Sequence, residues 1–254
     1  MHALVDIGNT RIKWALLDGR QLVQRGSAVH RDALDAALAA LDAALPAKLE
    51  RVVVANVAGE RVAERLRKLC GSRAGARVEL VATTTERFGV RCAYAEPVRL
   101  GVDRWVALLA ARHAAPGAAC VINAGTAVTF DAADAGGRHL GGLILPSARL
   151  IASALDRHTS DIGVTVPAAG APAGLELLGK STDAAVGNGA MLALAAGLDR
   201  AVGTVAQALG TPPRVYLSGG DAATLRGWLE TGVEVRADLV LEGLALFATE
   251  PQRD

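Results

Sequence analysis

The sequence predicts an α/β fold made of two similar halves, each of which starts with three consecutive strands and continues with alternating helices and strands. Short apolar runs alternate with longer stretches of helical periodicity along the whole chain. A strand–turn–strand pattern with Gly and Thr in the turn also occurs twice. The 254 residues, of which 51% are hydrophobic, are compatible with one or two domains, and the repeated pattern favours two.

The first half combines short apolar runs, typical of strands, with two different helices. The first helix is Ala-rich and apolar on nearly all sides, whereas the second carries its charges on one face. We expect strands at about 3–6, 12–17 and 22–28, a helix at about 32–45, a strand at Arg51–Asn56, a helix from Gly59 to Cys70, a strand at Val78–Val81 and a helix that Asp103 opens and that ends near Ala115.

The second half repeats this order of elements. We expect strands at Ala118–Ile122, Ala127–Asp131 and His139–Leu145, a helix at about 183–209, a strand at Arg214–Leu217, a helix at about 221–230, a strand at 233–236 and a closing helix at about 239–248. The stretch Pro167–Gly174 is the richest in Pro, Ala and Gly and is predicted to be a loop.

The repeat is centred on two turns. Asp6-Ile7-Gly8-Asn9-Thr10 leads into a second strand in the first half, and Asn123-Ala124-Gly125-Thr126 does so in the second half. Each copy continues through a turn into a third strand. Hairpins of this composition are common, so coincidence is the alternative explanation. We interpret the repeat as two domains, 1–116 and 117–254.

Composition excludes several classes of protein. The 27 basic and 26 acidic residues give a formal net charge of +1, and only 3% of residues are aromatic, so no nucleic-acid-binding face is expected. No uninterrupted apolar stretch reaches about 18 residues, and the start lacks the features of a signal peptide, so no membrane segment is expected. The three widely spaced cysteines are typical of reduced thiols. These features favour a cytoplasmic enzyme.

The turn Gly8-Asn9-Thr10 has the composition of a phosphate-binding site. Gly allows close approach of the backbone, successive N–H groups form an anion-binding nest, and the Asn and Thr side chains add donors. Lys13 can bring a positive charge to the same end of the hairpin. Asp6 cannot bind phosphate directly, but a carboxylate beside such a nest can hold magnesium, usually through water. The alternative is that Asp6 and Thr10 are ordinary turn residues.

A second candidate site lies between Leu100 and Trp105. Gly101 lets the backbone approach a ligand, Asp103 offers a proton acceptor, and the neighbouring Arg104 offers a fork that binds carboxylates. The alternative is that Asp103 is a helix N-cap and that Arg104 lies on the surface.

Three other patterns were considered for chemistry. The string Gly174–Ser181 matches the Walker A pattern, but the Pro-rich residues before it cannot form the central strand that a P-loop needs, so the match is interpreted as accidental. The Gly219-Gly220 turn, between a strand and a helix, gives a flat surface against which a nucleoside can lie. The five His form no H-E-x-x-H pattern, and no G-x-S-x-G nucleophile elbow occurs.

Taken together, these motifs resemble those of the acetate/sugar kinase, Hsp70 and actin superfamily, and most closely those of the type III pantothenate kinase family. The resemblance implies two tandem ribonuclease-H-like (actin-like ATPase) domains, each a mixed β-sheet flanked by helices. The motifs that carry it follow the family's order over nearly the whole chain: Asp6–Lys13, Leu100–Trp105, Asn123–Thr129, Gly141-Gly142 with Pro146, Ser181-Thr182 and Gly219-Gly220.

The same resemblance implies that a homodimer phosphorylates pantothenate to 4′-phosphopantothenate with ATP, the first step of coenzyme A biosynthesis. The implied ATP-binding residues are Asp6, Ile7, Gly8, Asn9, Thr10, Arg11, Ile12, Lys13 and Thr126. The implied pantothenate-binding residues are Tyr94, Gly101, Val102, Asp103, Arg104 and Thr182, with Asp103 as the catalytic base. Mg²⁺ is expected with ATP at Asp6, and K⁺ or NH₄⁺ is expected at the position of Asn123.

Two positions depart from the family's pattern. Asn123 stands where the family usually has an Asp that binds the monovalent cation, so a weaker dependence on that cation is expected. Pro146-Ser147 replaces the usual Pro-Gly. Two alternatives remain open: a catalytically weak or inactive accessory or regulatory protein of the same fold, and a kinase for another small hydroxylated substrate. The presence of Asp6, Lys13, Asp103 and Arg104 favours an active kinase.

Overall fold

The computed structural model describes residues 1–71, 76–158, 166–167 and 170–250. The strands are β1 (His2–Ile7), β2 (Arg11–Asp18), β3 (Gln21–Val29), β4 (Arg51–Asn56), β5 (Arg77–Leu80), β6 (Glu86–Arg87), β7 (Val90–Arg91), β8 (Ala119–Ala124), β9 (Ala127–Ala133), β10 (His139–Pro146), β11 (Arg214–Ser218) and β12 (Glu234–Val235). The helices are α1 (Leu34–Ala44), α2 (Glu60–Gly71), α3 (Val102–Ala114), α4 (Ala148–His158), α5 (Thr182–Leu209), α6 (Ala222–Arg226) and α7 (Leu239–Thr249), with short 3₁₀-helices at Pro97–Arg99 and Gly174–Leu177.

The chain forms two units. Unit 1 consists of Met1–Phe88, Cys92–Ala114 and Asp238–Asp254, and unit 2 consists of Gly89–Arg91 and Ala115–Ala237. Each unit has its own five-stranded sheet and its own apolar core.

Unit 1 is a mixed sheet with helices on both faces. Its strand order is β3-β2-β1-β4-β5, in which β1, β2 and β3 are antiparallel neighbours and β4 and β5 continue parallel to β1. Alternate residues of β1, such as Val5 and Ile7, pack with α1 and α2 in one core. Leu4 points to the opposite face and is also fully buried, since α3 and α7 cover that side of β1 and β4.

Unit 2 repeats this arrangement. Its strand order is β10-β9-β8-β11-β12, with β8, β9 and β10 antiparallel and β11 and β12 parallel to β8. Side chains of β8, β9 and β11 pack with α5 and α6 in the second core. The two sheets therefore have the same topology strand for strand, which confirms the internal repeat and the two-part α/β architecture predicted from the sequence.

The structure differs from the predicted elements at two helices. Helix α4 was not predicted, although its start carries a recognisable signal: Ser147 follows Pro146, and its Oγ accepts the N–H of Leu150 at 3.3 Å, as an N-cap does. Helix α6 is shorter than the predicted 221–230, since Gly227 follows its last residue. Of the predicted loop Pro167–Gly174, residues 168–169 lie outside the described residues.

The division into units differs from the predicted domains in two segments, of which the shorter, Gly89–Arg91, belongs to unit 2. The change of unit at 114/115 lies close to the predicted boundary of 116/117, but Asp238–Asp254 belongs to unit 1 and not to the second domain. The physical reason is the packing of α7. This helix contacts α3, β1 and β4, and it approaches α3 so closely that a Cβ on Gly243 would lie 2.2 Å from the carbonyl oxygen of Val106.

Helix α5 is long and apolar enough to cross a bilayer, with a mean hydropathy of 1.3 over its most apolar part. Length and composition alone are weak evidence for a membrane span, because the core helix of a globular domain has the same properties. Met191, Leu194 and Leu198 on α5 pack into the core of unit 2. One face of α5 therefore belongs to the core of unit 2.

Candidate active site

The turn between β1 and β2 is fixed by core residues on either side of it. Ile7 and Ile12 are opposite each other in the two strands and are fully buried. The N–H of Gly8 donates to the carbonyl of Arg11 at 3.0 Å and closes the turn. Asn9 is exposed at its tip. The predicted phosphate-binding turn is therefore a tight, anchored hairpin.

Asp6 and Lys13 face each other across this hairpin. They are partners in the β1–β2 register, so their side chains lie on the same face of the sheet. Both side chains are partly buried. The sequence predicted only that Asp6 and Lys13 lie at the same end of a hairpin. The strand register shows that they are directly opposite each other.

The carboxyl of Asp6 has a strongly altered acidity. Its pKa is raised from 3.8 to about 7. Burial of the charged form is the largest cause, the negative charge of Asp103 acts in the same direction, and the positive charge of Lys13 opposes the rise. The charge of Asp103 acts on Asp6, so the first motif and the Leu100–Trp105 motif are near each other in unit 1. Two carboxylates and an ammonium group in one small region are typical of a functional site.

The start of α3 shapes the second motif. Helix α3 begins at Val102, and the N–H of Trp105 donates to the carbonyl of Gly101 at 3.0 Å. Oδ1 of Asp103 accepts the N–H of Arg104 at 2.9 Å. A Cβ on Gly101 would lie only 2.7 Å from that Oδ1, so a larger residue at 101 would displace the carboxylate. Asp103 is thus the second residue of the helix and not its N-cap, contrary to the alternative interpretation.

Arg104 is buried, contrary to the alternative that placed it on the surface. Only 6% of the residue is exposed. Its Nη1 donates to the phenolic oxygen of Tyr94 at 3.3 Å, which joins two of the residues implied in substrate binding. A buried guanidinium beside a partly buried phenol can recognise an anionic group such as a carboxylate.

Sequence reasoning missed a residue that supports this motif. Thr83 is 6% exposed, and its Oγ1 donates to the carbonyl of Leu100 at 2.9 Å. The bond holds the backbone immediately before Gly101. Three consecutive threonines, 83–85, gave no indication of which one is buried, because the pattern has no helical or strand periodicity.

The corresponding turn of unit 2 lies between β8 and β9. The N–H of Gly125 donates to the carbonyl of Ala127 at 3.2 Å, much as Gly8 does to Arg11. Asn123 is paired in register with Thr129 of β9 and with Ser218 of β11. Thr126 is exposed at the turn. This copy of the hairpin has amide and hydroxyl groups where unit 1 has a carboxylate and an ammonium group.

The Gly219-Gly220 turn packs against the end of β8. The N–H of Asp221 donates to the carbonyl of Ala124 at 3.1 Å, and Gly219 has a φ of +102°. A Cβ on Gly219 would lie 2.2 Å from that carbonyl oxygen, so only glycine fits. A cavity of about 240 Å³ lies beside this turn and is lined by residues that include Ser147, Met191, Asp221 and Thr224. The prediction of a nucleoside surface at this turn stays a prediction.

The Walker-like string forms no P-loop. Gly174–Leu177 is a 3₁₀-helix, and the described residues just before it, 170–173, form no strand. Ser181 is the N-cap of α5, and its Oγ accepts the N–H of Ala184 at 3.2 Å. Thr182, a residue implied in pantothenate binding, is the exposed first residue of α5 in unit 2.

A divalent metal ion would depend on the nucleotide for most of its ligands. Among the described residues, no group of three or more His, Cys, Asp or Glu could hold a metal ion. Magnesium is commonly held by one or two carboxylates together with substrate phosphates and water. A single carboxylate at Asp6 beside a turn suited to phosphate fits that mode of binding.

Comparison with known proteins shows the family to which the chain belongs. The sequence model of the family described as type III pantothenate kinase matches residues 3–204. The type III pantothenate kinase of Nitrosococcus oceani is 36% identical over 263 residues, which cover 100% of this chain and 96% of the relative. That of Xanthomonas campestris pv. campestris is 40% identical over 248 residues, covering 97% of this chain and 96% of the relative.

A solved structure supports the fold separately. The ethanolamine utilization protein EutJ from Carboxydothermus hydrogenoformans is similar over 96% of this chain and 89% of its own, with a TM-score of 0.56 and 17% sequence identity. At that identity the likeness concerns the fold alone. Together with the identical sheet order of the two units, it confirms the predicted class of two tandem ribonuclease-H-like domains.

Proposed function

The chain belongs to the type III pantothenate kinase family, and we propose that it transfers the γ-phosphoryl group of ATP to pantothenate, giving 4′-phosphopantothenate and ADP. This reaction is the first step of coenzyme A biosynthesis. The observation that carries the proposal is the meeting of Asp6, Lys13 and Asp103 in unit 1, in a chain related over its whole length to enzymes of that name. Phosphoryl transfer depends mainly on positioning and electrostatic stabilisation, which such a group provides.

The β1–β2 hairpin would hold the phosphates of ATP. Its backbone N–H groups between Gly8 and Arg11, the side chains of Asn9 and Thr10, and the Lys13 ammonium would donate to phosphate oxygens. Ile7 and Ile12 would contribute by anchoring the turn in the core. Kinases use ATP with a divalent metal ion, for which we propose Mg²⁺ held by Asp6 through water. The ion would neutralise charge on the phosphates.

Asp103 would act on the acceptor. As the pantothenate hydroxyl oxygen bonds to the γ-phosphorus, the bond from phosphorus to the β–γ bridging oxygen breaks and ADP leaves. The hydroxyl proton would pass to the Asp103 carboxylate, whose charge acts on Asp6. Arg104 and Tyr94 would bind the pantothenate carboxylate, and Gly101, Val102 and Thr182 would complete the substrate site.

Unit 2 would bind the rest of the nucleotide. Thr126 would contact ATP from the β8–β9 turn, and the nucleoside would lie against Gly219-Gly220 and the cavity beside it. Asn123 would occupy the monovalent-cation position. Its neutral amide oxygen, with the hydroxyls of Thr129 and Ser218 in register, offers no negative charge, so K⁺ or NH₄⁺ would be bound weakly.

A homodimer in the cytoplasm is the proposed state of the protein. Strand β10 is an edge strand of its sheet, and it exposes Leu143 by 47% and Ile144 by 68%. An exposed apolar edge strand is usually covered by a partner. We expect light scattering to give twice the chain mass for the wild type and a single chain mass for Ile144→Lys.

The decisive experiment is a coupled assay of ADP release with and without pantothenate, with the product identified by mass spectrometry. We expect ADP release that requires pantothenate and a product heavier by one phosphoryl group. Folded protein that binds MgATP but forms no product would favour the accessory-protein alternative. Phosphorylation of a different hydroxylated compound in a substrate panel would favour the other-kinase alternative.

A further inference from the structure

We propose that His30 is a positioning residue that orients the peptide groups of the β1–β2 turn for phosphate binding. This inference rests on the proposed function, because it assigns a role in holding the turn that we assign to ATP. His30 belongs to none of the motifs considered above. It follows β3 directly and is buried, with 6% of the residue exposed.

His30 contacts the turn twice. Its backbone N–H donates to the carbonyl of Thr10 at 2.9 Å. Its Nε2 lies 2.7 Å from the carbonyl oxygen of Gly8. A carbonyl oxygen only accepts hydrogen bonds, so Nε2 carries the proton and donates. His30, which directly follows β3, therefore holds the carbonyl groups of both Gly8 and Thr10.

These contacts determine where the N–H groups of the turn point. In a planar trans peptide, the carbonyl of one residue and the N–H of the next point in opposite directions. With the Gly8 carbonyl directed at the His30 ring, the N–H of Asn9 must point away from that ring. The same reasoning directs the N–H of Arg11 away from His30, because the Thr10 carbonyl is held by the His30 backbone. The orientation of both peptide groups, and with it the direction of two N–H donors of the turn, is therefore fixed by His30.

The side-chain contact distinguishes His30 from the residue at the matching place in unit 2. Ser147 follows β10 as His30 follows β3, and the hydroxyl of Ser147 accepts the N–H of Leu150 at the start of α4. In unit 1 the side chain at the matching place, His30, instead donates to the Gly8 carbonyl of the hairpin turn. The Gly8 carbonyl is the first carbonyl of the turn, so losing its donor would let that peptide rotate and take the Asn9 N–H with it.

The test compares His30→Leu, which removes the donor, with His30→Gln, whose amide can reach about as far as Nε2 and still donate. In the pantothenate-dependent assay we expect His30→Leu to raise the KM for ATP about tenfold, the effect of one lost hydrogen bond. The KM for pantothenate should stay near the wild-type value, and His30→Gln should recover most of the loss. The matched control is Leu38→Ala, which removes buried core volume on α1 in the same unit.

Several results would overturn the role of His30. For His30→Leu, these results are an unchanged KM for ATP or an equal rise in the KM values for ATP and pantothenate. An equal rise in the KM for ATP in Leu38→Ala would also overturn it, and so would a folded His30→Gln that is as impaired as His30→Leu. If His30→Leu does not fold, His30→Asn replaces it, since its shorter amide cannot reach the Gly8 carbonyl. Calorimetric titration with MgATP alone measures ATP binding separately from phosphoryl transfer to pantothenate. Weaker binding by His30→Leu supports the positioning role even if pantothenate proves to be the wrong acceptor.

Discussion

The two hairpins of this protein share one backbone arrangement and differ in charge. In both sheets the first strand of the hairpin has a parallel strand as its other neighbour, and a glycine N–H closes the turn. The pair opposed across the first hairpin is Asp6 and Lys13, whereas the pair across the second is Asn123 and Thr129. The repeated fold therefore supplies two similar scaffolds, and the charged groups proposed for phosphoryl transfer lie on one of them.

The strongest test of this asymmetry is Asp103→Asn, which removes the proton acceptor proposed for unit 1 and keeps its shape. We expect kcat to fall by roughly 10²- to 10⁴-fold, the usual contribution of a general base, with the KM for pantothenate nearly unchanged. Steady-state kinetics and circular dichroism of the purified variant measure both effects. If more than about a tenth of kcat survives, well short of that range, the base lies elsewhere.

Asp6→Asn makes the first hairpin resemble the second. We expect a loss of about 10- to 100-fold in activity, the size seen when a group that holds a metal through water is removed. Lys180→Ala is the matched control, because it removes the lysine of the Walker-like string and should change activity little. A larger loss in Lys180→Ala than in Asp6→Asn would contradict the placement of the phosphates.

The same variant tests the buried charge of Asp6 in the nucleotide-free protein. The pKa is 3.8 in a solvated carboxyl and about 7 in the fold, so between these values the folded state holds a proton that the unfolded state has lost. The contribution of Asp6 to the free energy of unfolding therefore falls as pH rises from about 4 to about 7. We expect the Tm of Asp6→Asn to exceed that of the wild type by a margin that grows from pH 5 to pH 7.5. A constant margin would show that the carboxyl titrates normally.

Thr83→Val tests the support of the acceptor motif in unit 1. Removing the hydrogen bond to the Leu100 carbonyl should raise the KM for pantothenate by about two- to tenfold. The KM for ATP should change less, which is the reverse of the pattern expected for His30→Leu. Parallel kinetics of both variants provide the check, and a rise in the KM for ATP alone would contradict the assignment.

Asn123→Asp gives the second hairpin a charge like that of the first, and the expected effect is the smallest. An aspartate offers a full negative charge to a monovalent cation, whereas asparagine offers only a carbonyl oxygen. We expect the wild type to respond to K⁺ or NH₄⁺ with a shallower or right-shifted activation curve than the variant. Titration with K⁺ at constant ionic strength, balanced with choline, measures this. Coincident curves would remove residue 123 from the cation site.

The sequence alone predicted the repeat, most of the elements and the motifs to which chemistry is assigned as a proposal. Those features are local: a turn containing Gly and Thr, alternating apolar runs, and a Gly next to Asp and Arg can be recognised within ten residues. They were sufficient for the fold class, which the sheet orders and the structural comparison confirm. The family assignment follows in the same way from the order of the motifs.

Only the tertiary structure decided which residues meet. The register opposes Asp6 to Lys13, the fold of unit 1 brings Asp103 close enough to alter the acidity of Asp6, and α7 joins unit 1 from the far end of the chain. His30 and Thr83 were missed because each acts on a backbone carbonyl distant in sequence. Any buried polar residue can make such a bond, so its partner is set by how strands and loops pack and not by a local pattern.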